Sequence, residues 1–180
     1  MNVDGIPYRT IWLANDGQTV KIIDQTRLPH EFSVVSLKKL ADACAAIRDM
    51  WVRGAPLIGA TAAYGIALAM TEDSTNAGFE NAYSKLLETR PTAVNLRWAL
   101  DEMKLCLQNL DPSQRTEAAY SRAAKIADED VETCSAGTPN ISAALRTASP
   151  RVSPSVVTVF SSMIVSWGAM VHRCATRSCA

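Results

Sequence analysis

Hydrophobic and polar positions divide the chain into a short opening stretch that alternates and a long following stretch with helical spacing. Thr10-Ile11-Trp12-Leu13 and Val20-Lys21-Ile22-Ile23-Asp24 flank Asn15-Asp16-Gly17. Two β-prone runs around that turn read as a hairpin, because Gly17 tolerates the positive φ a tight turn needs. Leu28-Pro29 breaks the second strand, and Glu31 to Leu37 alternates weakly as a third. Residues 1–37 therefore read as a small antiparallel β element.

After Ser36 the spacing changes. Leu37, Leu40, Ala41, Cys44 and Ile47 share one helical face, with Ser36 as N-cap and an end near Met50 or Trp51. Arg53-Gly54-Ala55-Pro56 interrupts it. Pro56 suits the first turn of a new helix, and Gly54 suits an unusual backbone position. Pro56 to Met70 is a helix of small residues that packs closely against its neighbours. Ala77 to Thr89 follows, with Phe79, Tyr83, Leu86 and Leu87 as its stripe. Arg90-Pro91-Thr92 breaks that helix. Ala93 to Leu110 comes next, with Leu96, Leu100, Met103 and Leu107 on one face. Asp111 as N-cap and Pro112 in the first turn open a long helix to about Glu132, through Ala119, Ala123, Ile126 and Val131. The fold class is mainly α with a small N-terminal antiparallel β element, and residues 38–132 form a bundle of about five helices.

Charge separates the remainder from this bundle. All 18 acidic residues lie between Asp4 and Glu132. Residues 133–180 hold no Asp, Glu or Lys, four arginines, and 14 Ser or Thr among 48 positions. At the acidic frequency of the preceding residues, a gap that long has a chance of about one in a thousand, against a usual charged fraction of roughly a quarter. Three accounts stand for this stretch: a natural low-complexity tail, a buried or lipid-facing strand segment, and coding sequence read in a shifted frame. The sharp onset and the excess of Ser, Arg and Cys favour the shifted frame or a similar truncation. Within it Val156 to Phe160 is β-prone, and Met163 to Val171 suits strand or helix.

Composition excludes several classes. The 180 residues carry no net formal charge, so no global field favours nucleic acid or an anionic membrane as partner. Five cysteines (Cys44, Cys106, Cys134, Cys174, Cys179) show no CxxC pair, and His30 and His172 are the two histidines. That spacing does not fit structural zinc, the odd cysteine count argues against a disulfide framework, and no metal or cofactor is expected. The polar start lacks an apolar leader core, and Pro56 to Met70 is too short to span a bilayer; a cytoplasmic chain with reduced thiols is the expectation. No GxGxxG, Walker or Ser-His-Asp pattern occurs. His30 reads as a turn residue, Asp24 as a strand-end carboxylate, Asp128, Glu129, Asp130 and Glu132 as a solvated helix face, and Cys44 and Cys106 as core residues.

Two segments carry one shared arrangement, an arginine at a helix–helix junction beside a proline. These are Trp51-Val52-Arg53-Gly54-Ala55-Pro56 and Thr89-Arg90-Pro91-Thr92-Ala93. A helix N-terminus offers unpaired N–H groups at the positive end of its dipole, and an arginine adds a planar fork of donors that matches phosphate. Brought together, the junctions would cradle a phosphate. Taken singly, each also reads as a solvated loop.

The stretches IWLANDGQTVKIIDQTRLPHEF, IRDMWVRGAPLIGATAAYGIALA, TRPTAVNLRWAL and IADEDVE resemble, in order and spacing, the N-terminal part of the methylthioribose-1-phosphate isomerase family. The regulatory subunits of the translation initiation factor that exchanges guanine nucleotide share this architecture, and RPTAVNL favours the isomerases. The resemblance implies aldose–ketose isomerisation of S-methyl-5-thio-α-D-ribose 1-phosphate to S-methyl-5-thio-D-ribulose 1-phosphate in methionine salvage. It implies substrate contacts at Arg53, Gly54, Ala55 and Arg90. The small-molecule partner it implies is a sugar phosphate, and it raises a family homodimer whose interface no pattern locates. The family's catalytic cysteine lies in a His-Cys-Asn-Ala-Gly-like segment, and its aspartate in a later Rossmann-like α/β domain. Cys134-Ser135-Ala136-Gly137 only faintly imitates the first, and no Asp follows Asp130, so no catalytic residue is assigned. Three readings follow: an isomerase by ancestry whose 180 residues are inactive alone, a non-catalytic sugar-phosphate-binding or regulatory module, and a non-functional remnant.

Overall fold

A computed structural model describes residues 2–3 and 5–135. Two short strands, β1 (Asn2–Val3) and β2 (Ile6–Pro7), pair antiparallel. This hairpin is too short to leave a periodic signal in the sequence. A three-stranded antiparallel sheet follows, β3 (Ile11–Leu13), β4 (Val20–Ile23) and β5 (Val34–Leu37), in the order β3-β4-β5. Gly17 turns the first hairpin of this sheet at φ 70°, while the Asp16 carboxylate accepts from the N–H groups of Gln18 and Thr19 at 3.0 and 2.8 Å. The third strand is shorter than expected and starts at Val34.

Five helices are described: α1 (Leu40–Arg48), α2 (Ala55–Glu72), α3 (Asn76–Thr89), α4 (Val94–Leu107) and α5 (Pro112–Ser135). The expected start of the first helix is corrected. Leu37 belongs to β5, fully buried opposite Val20, and Ser36 pairs with Lys21. Leu37 satisfies both the helical spacing and the inward face of the sheet, and strand pairing decides between them. The helix begins three residues later. Its Asp42 carboxylate accepts from the N–H groups of Lys38 and Lys39 at 2.8 and 3.0 Å, supplying partners that Ser36 does not.

Helix α2 is the centre of the bundle. Every residue from Leu57 to Met70 is buried, and α1, α3, α4 and α5 all pack on it. A helix that is apolar all round is stable only when enclosed, and each large side chain so buried contributes roughly 1.5–3 kcal/mol. Small residues let the neighbours approach. A Cβ built on Gly65 would lie 3.1 Å from both Ala43 Cβ and a Leu86 methyl.

Helix α3 buries Phe79, Ala82 and Leu86, with Tyr83 and Leu87 half-buried. Helix α4 buries Leu96, Leu100, Met103 and Leu107, and leaves Val94, Trp98 and Leu105 exposed. It is shorter than expected and gives way to a turn at Gln108–Leu110. Helix α5 buries Ala119, Ala123 and Ile126, but Val131 is 45% exposed, which corrects its place on the apolar stripe. The helix also runs past Glu132 to Ser135, so the change in composition does not end it.

Polar bonds fix α5 to the rest. The buried Arg115 donates to Leu110 O and Ser74 O, each at 3.0 Å, and Thr116 Oγ1 donates to Met70 O at 2.9 Å. Tyr120 Oη donates to Gln18 O at 2.8 Å, joining α5 to the β3–β4 turn. Arg9 reaches Ala127 O and the Asp128 carboxylate. Among the described residues no helix is long and apolar enough to cross a membrane. The β-prone run Val156 to Phe160 and the segment Met163 to Val171 lie outside the described residues.

Candidate phosphate-binding junctions

Arg53 and Gly54 lie between α1 and α2. The chain leaves α1 through Met50, at φ 60°, and buries Val52, whose N–H donates to Ala46 O at 3.3 Å. Gly54 then takes φ 92° and ψ 136° as the residue preceding α2. A Cβ there would meet nothing within 4 Å, so the backbone angle, not space, calls for glycine. The first intrahelical bond runs from Ile58 N–H to Gly54 O at 3.1 Å. Pro56 has no N–H, so the donors ahead of that bond are those of Ala55 and Leu57. Arg53, Gly54, Ala55 and Pro56 are all exposed.

Arg90 caps the C-terminus of α3 at φ −151° and ψ 80°, and its carbonyl accepts from the Ala93 N–H at 3.0 Å. Ala93 precedes α4. Arg90 is half-buried, while Pro91 and Thr92 are exposed.

The two helix starts touch. A Cβ on Gly59, one turn into α2, would lie 3.0 Å from Asn95 O and 3.5 Å from Ala99 Cβ in the opening turns of α4. The missing side chain thus lets the first turns of α2 and α4 lie against each other. Neither start has a side-chain cap or an acidic residue in its first turn. By contrast, Thr75 caps α3 through Gly78 N–H at 3.1 Å, and α1 has Asp42. The positive ends of α2 and α4 are therefore uncompensated and adjacent. Among the described residues, Arg53, Arg90 and Arg97 are the arginines whose side chains make no hydrogen bond or ion pair. Arg9, Arg27, Arg48, Arg115 and Arg122 are all engaged. Free guanidinium groups beside uncapped helix starts suit a dianionic oxygen cluster.

The remaining candidates fall elsewhere. His30 is exposed beside a cis Leu28–Pro29 peptide. Asp24 follows β4, is buried, and accepts from the N–H and hydroxyl of Thr26 at 2.9 and 2.6 Å. Asp128 and Glu129 pair with Arg9 and Arg122. Among the described residues no group of three or more His, Cys, Asp or Glu is arranged to hold a metal ion. Cys44 and Cys106 are half-buried at the margin of the core, not within it. Cys44 lines a cleft of about 680 Å³ with Lys39, Arg48, Glu72, Lys85 and Glu88. Burial pushes its thiol pKa up, partly offset by Arg48 and Lys85. That cleft runs along α1 and α3, from Asp73 and Gly78 to Thr89, the neighbour of Arg90. Sequence spacing missed Gln25 and Asn95, whose contacts with the junctions are tertiary.

A model of the Initiation factor 2 subunit family matches residues 51–148. The chain belongs to that family. The match covers α2 to α5 and continues past the change in composition. Among curated relatives, the chain is 65% identical over 130 residues to the methylthioribose-1-phosphate isomerase of Paramagnetospirillum magneticum, covering 72% of this chain and 36% of that protein. It is 54% identical over 134 residues to the Escherichia coli protein of the same name, covering 74% and 36%. Among solved structures, 5-methylthioribose 1-phosphate isomerase from Pyrococcus horikoshii superposes with a TM-score of 0.64 at 40% identity, over 69% of this chain and 37% of that one. Translation initiation factor eIF-2B subunit delta from A. fulgidus gives 0.64 at 34% identity, over 70% and 38%. The chain spans about a third of the length of the curated relatives it matches. The mainly helical architecture with its small antiparallel sheet is the one these solved structures share over the matched region.

Proposed function

We propose that Arg53, Gly54, Ala55 and Arg90 form the phosphate-binding half of a methylthioribose-1-phosphate isomerase site. The observation that carries this reading is the contact of two uncapped helix starts, each beside an arginine whose side chain has no partner among the described residues. Identity of 65% to a protein named for this activity supports the sugar phosphate as ligand. The two guanidinium groups and the N–H groups of Ala55 and Leu57 hold the phosphate of S-methyl-5-thio-α-D-ribose 1-phosphate, which anchors the sugar.

The reaction breaks the bond between C1 and the ring oxygen, with a proton delivered to that oxygen. Hydrogen moves from C2 to C1, and loss of the C2 hydroxyl proton leaves the ketone of S-methyl-5-thio-D-ribulose 1-phosphate. These steps need a positioned acid and a site shielded from water. The junctions supply neither, since Arg53 is exposed and no carboxylate pairs with Arg53 or Arg90 among the described residues. Residues 1–180 by themselves therefore bind the sugar phosphate without converting it, and the chemistry belongs to the part of the relatives that this chain does not match.

Calorimetric titration of methylthioribose 1-phosphate, paired with a turnover assay, tests this. The expected result is one-to-one binding, weakened about tenfold to a hundredfold by Arg90→Ala, consistent with a charged hydrogen bond contributing roughly 1.5–3 kcal/mol. Turnover should be absent. No saturable binding, or turnover at the rate of an intact isomerase, contradicts the proposal. The equal TM-score of the eIF-2B delta structure favours a second reading, a non-catalytic regulatory module. That reading predicts a protein partner whose binding is indifferent to Arg90→Ala.

A further inference from the structure

The first junction is held from outside by a single residue. Gln25 donates its backbone N–H to Trp51 O at 2.9 Å, and its Oε1 accepts from the Arg53 N–H at 3.0 Å. It thus grips the chain on both sides of the buried Val52. A main-chain N–H can only donate, so the carboxamide must present oxygen to Arg53. The amide nitrogen makes no hydrogen bond among the described residues. Since no buried side-chain nitrogen or oxygen among them lacks a partner, that nitrogen is open to solvent at the edge of the junction.

Gln25 is itself well anchored. It follows β4 and the buried Asp24, which accepts from the Thr26 N–H and hydroxyl and whose own N–H donates to Ser33 O at 2.9 Å. The segment it grips has a positive φ at each end, 60° at Met50 and 92° at Gly54. Between those ends, the bonds from Gln25 and the Val52 bond to Ala46 define the path of the chain. Without the Gln25 oxygen, the Arg53 N–H loses the bond that fixes the plane of the Val52–Arg53 peptide.

We propose that Gln25 is a positioning residue for the sugar-phosphate site. By holding the Arg53 N–H it sets the Val52–Arg53 peptide, and with it the direction of the Arg53 side chain and of the first N–H groups of α2. This rests on the reading given under Proposed function, and the test separates the two.

The full chain, labelled with nitrogen-15, is titrated with methylthioribose 1-phosphate while the backbone amides are followed. Wild type should show saturable shifts at Gly54 and Ala55 and at Val94 and Asn95. Gln25→Met, similar in length but without the oxygen, should melt cooperatively. It should bind at least tenfold more weakly, with the Gly54 and Ala55 response lost and the Val94 and Asn95 response retained. A merely structural role would shift the melting temperature and leave the response of the folded protein intact at both junctions. Affinity equal to wild type, or loss of response at both junctions alike, overturns the inference and leaves the functional reading standing. Absence of binding by wild type overturns both. Should Gln25→Met not fold, Gln25→Asn serves instead. Its carboxamide is one methylene shorter and draws the oxygen back from the Arg53 N–H, so affinity should fall at least tenfold with the Gly54 and Ala55 response lost. Undiminished affinity in that variant overturns the inference.

Discussion

At the scale of single residues, backbone demands and carboxylate bonds decide most of what the chain does. Asp16 shows this in the β3–β4 turn. Bonds from the Thr19 side chain and from the Gln18 and Thr19 N–H groups lower its pKa from 3.8 to about 2. All of these bonds favour the ionised form. Because the folded value is depressed, the stabilisation is present above pH 3.8 and is lost as pH falls through about 2. Asp16→Asn is therefore expected to melt at a lower temperature than wild type at neutral pH. The gap should close as both are measured from about pH 4 down to pH 2, in thermal melts followed by circular dichroism. A gap independent of pH would show that the carboxylate charge plays no part in the turn. Asp16-Gly17 is legible as a turn from the sequence, because the signal is local. Gly54 is equally legible as an unusual backbone position, since Arg-Gly-Ala-Pro interrupts one apolar period and opens another. The role of Gln25 is not, because its partner is 28 residues away and the bond exists only once β4 lies beside the junction.

At the scale of elements, the approach of α2 to α4 sets the candidate site. Gly59 permits it, and an added methyl would press on a backbone carbonyl, which cannot swing aside as a flexible side chain can. Gly59→Ala should cost about 1–3 kcal/mol, the usual penalty of overpacking. In urea unfolding it should lower the midpoint and leave the slope unchanged. It should also weaken sugar-phosphate binding by moving the two helix starts apart. A midpoint at or above that of wild type would mean that α4 gives way to the methyl and that the roughly 0.5–1 kcal/mol by which alanine is preferred to glycine inside a helix prevails. Helix faces are legible wherever one periodicity rules, as in Leu96, Leu100, Met103 and Leu107. Spacing fails at boundaries. Leu37 fits two periods at once, and its pairing with Val20 decides the matter. Val131 fits the α5 stripe by spacing but is exposed, because burial follows the neighbours actually present and not the spacing alone.

At the scale of the whole molecule, the described residues form a bundle closed around α2, with the arginine junctions at the start of that helix and the Cys44 cleft alongside α1 and α3. The core is complete around α2, while the candidate site lies open on the surface. That contrast fits a chain that spans about a third of the length of its relatives. The overall class is legible because helical spacing and proline punctuation are strong along residues 38–132. The meeting of the two junctions is not, since nothing in their separation along the chain places Gly59 against Asn95. The central claim is that Arg53 and Arg90 act on one phosphate. Calorimetric titration of methylthioribose 1-phosphate into wild type, Arg53→Ala, Arg90→Ala and the double variant tests it most directly. Two groups on one anion should each weaken binding and should couple by about 0.5–3 kcal/mol, as groups sharing a partner do. Strictly additive losses, or loss from only one of the two variants, would contradict it.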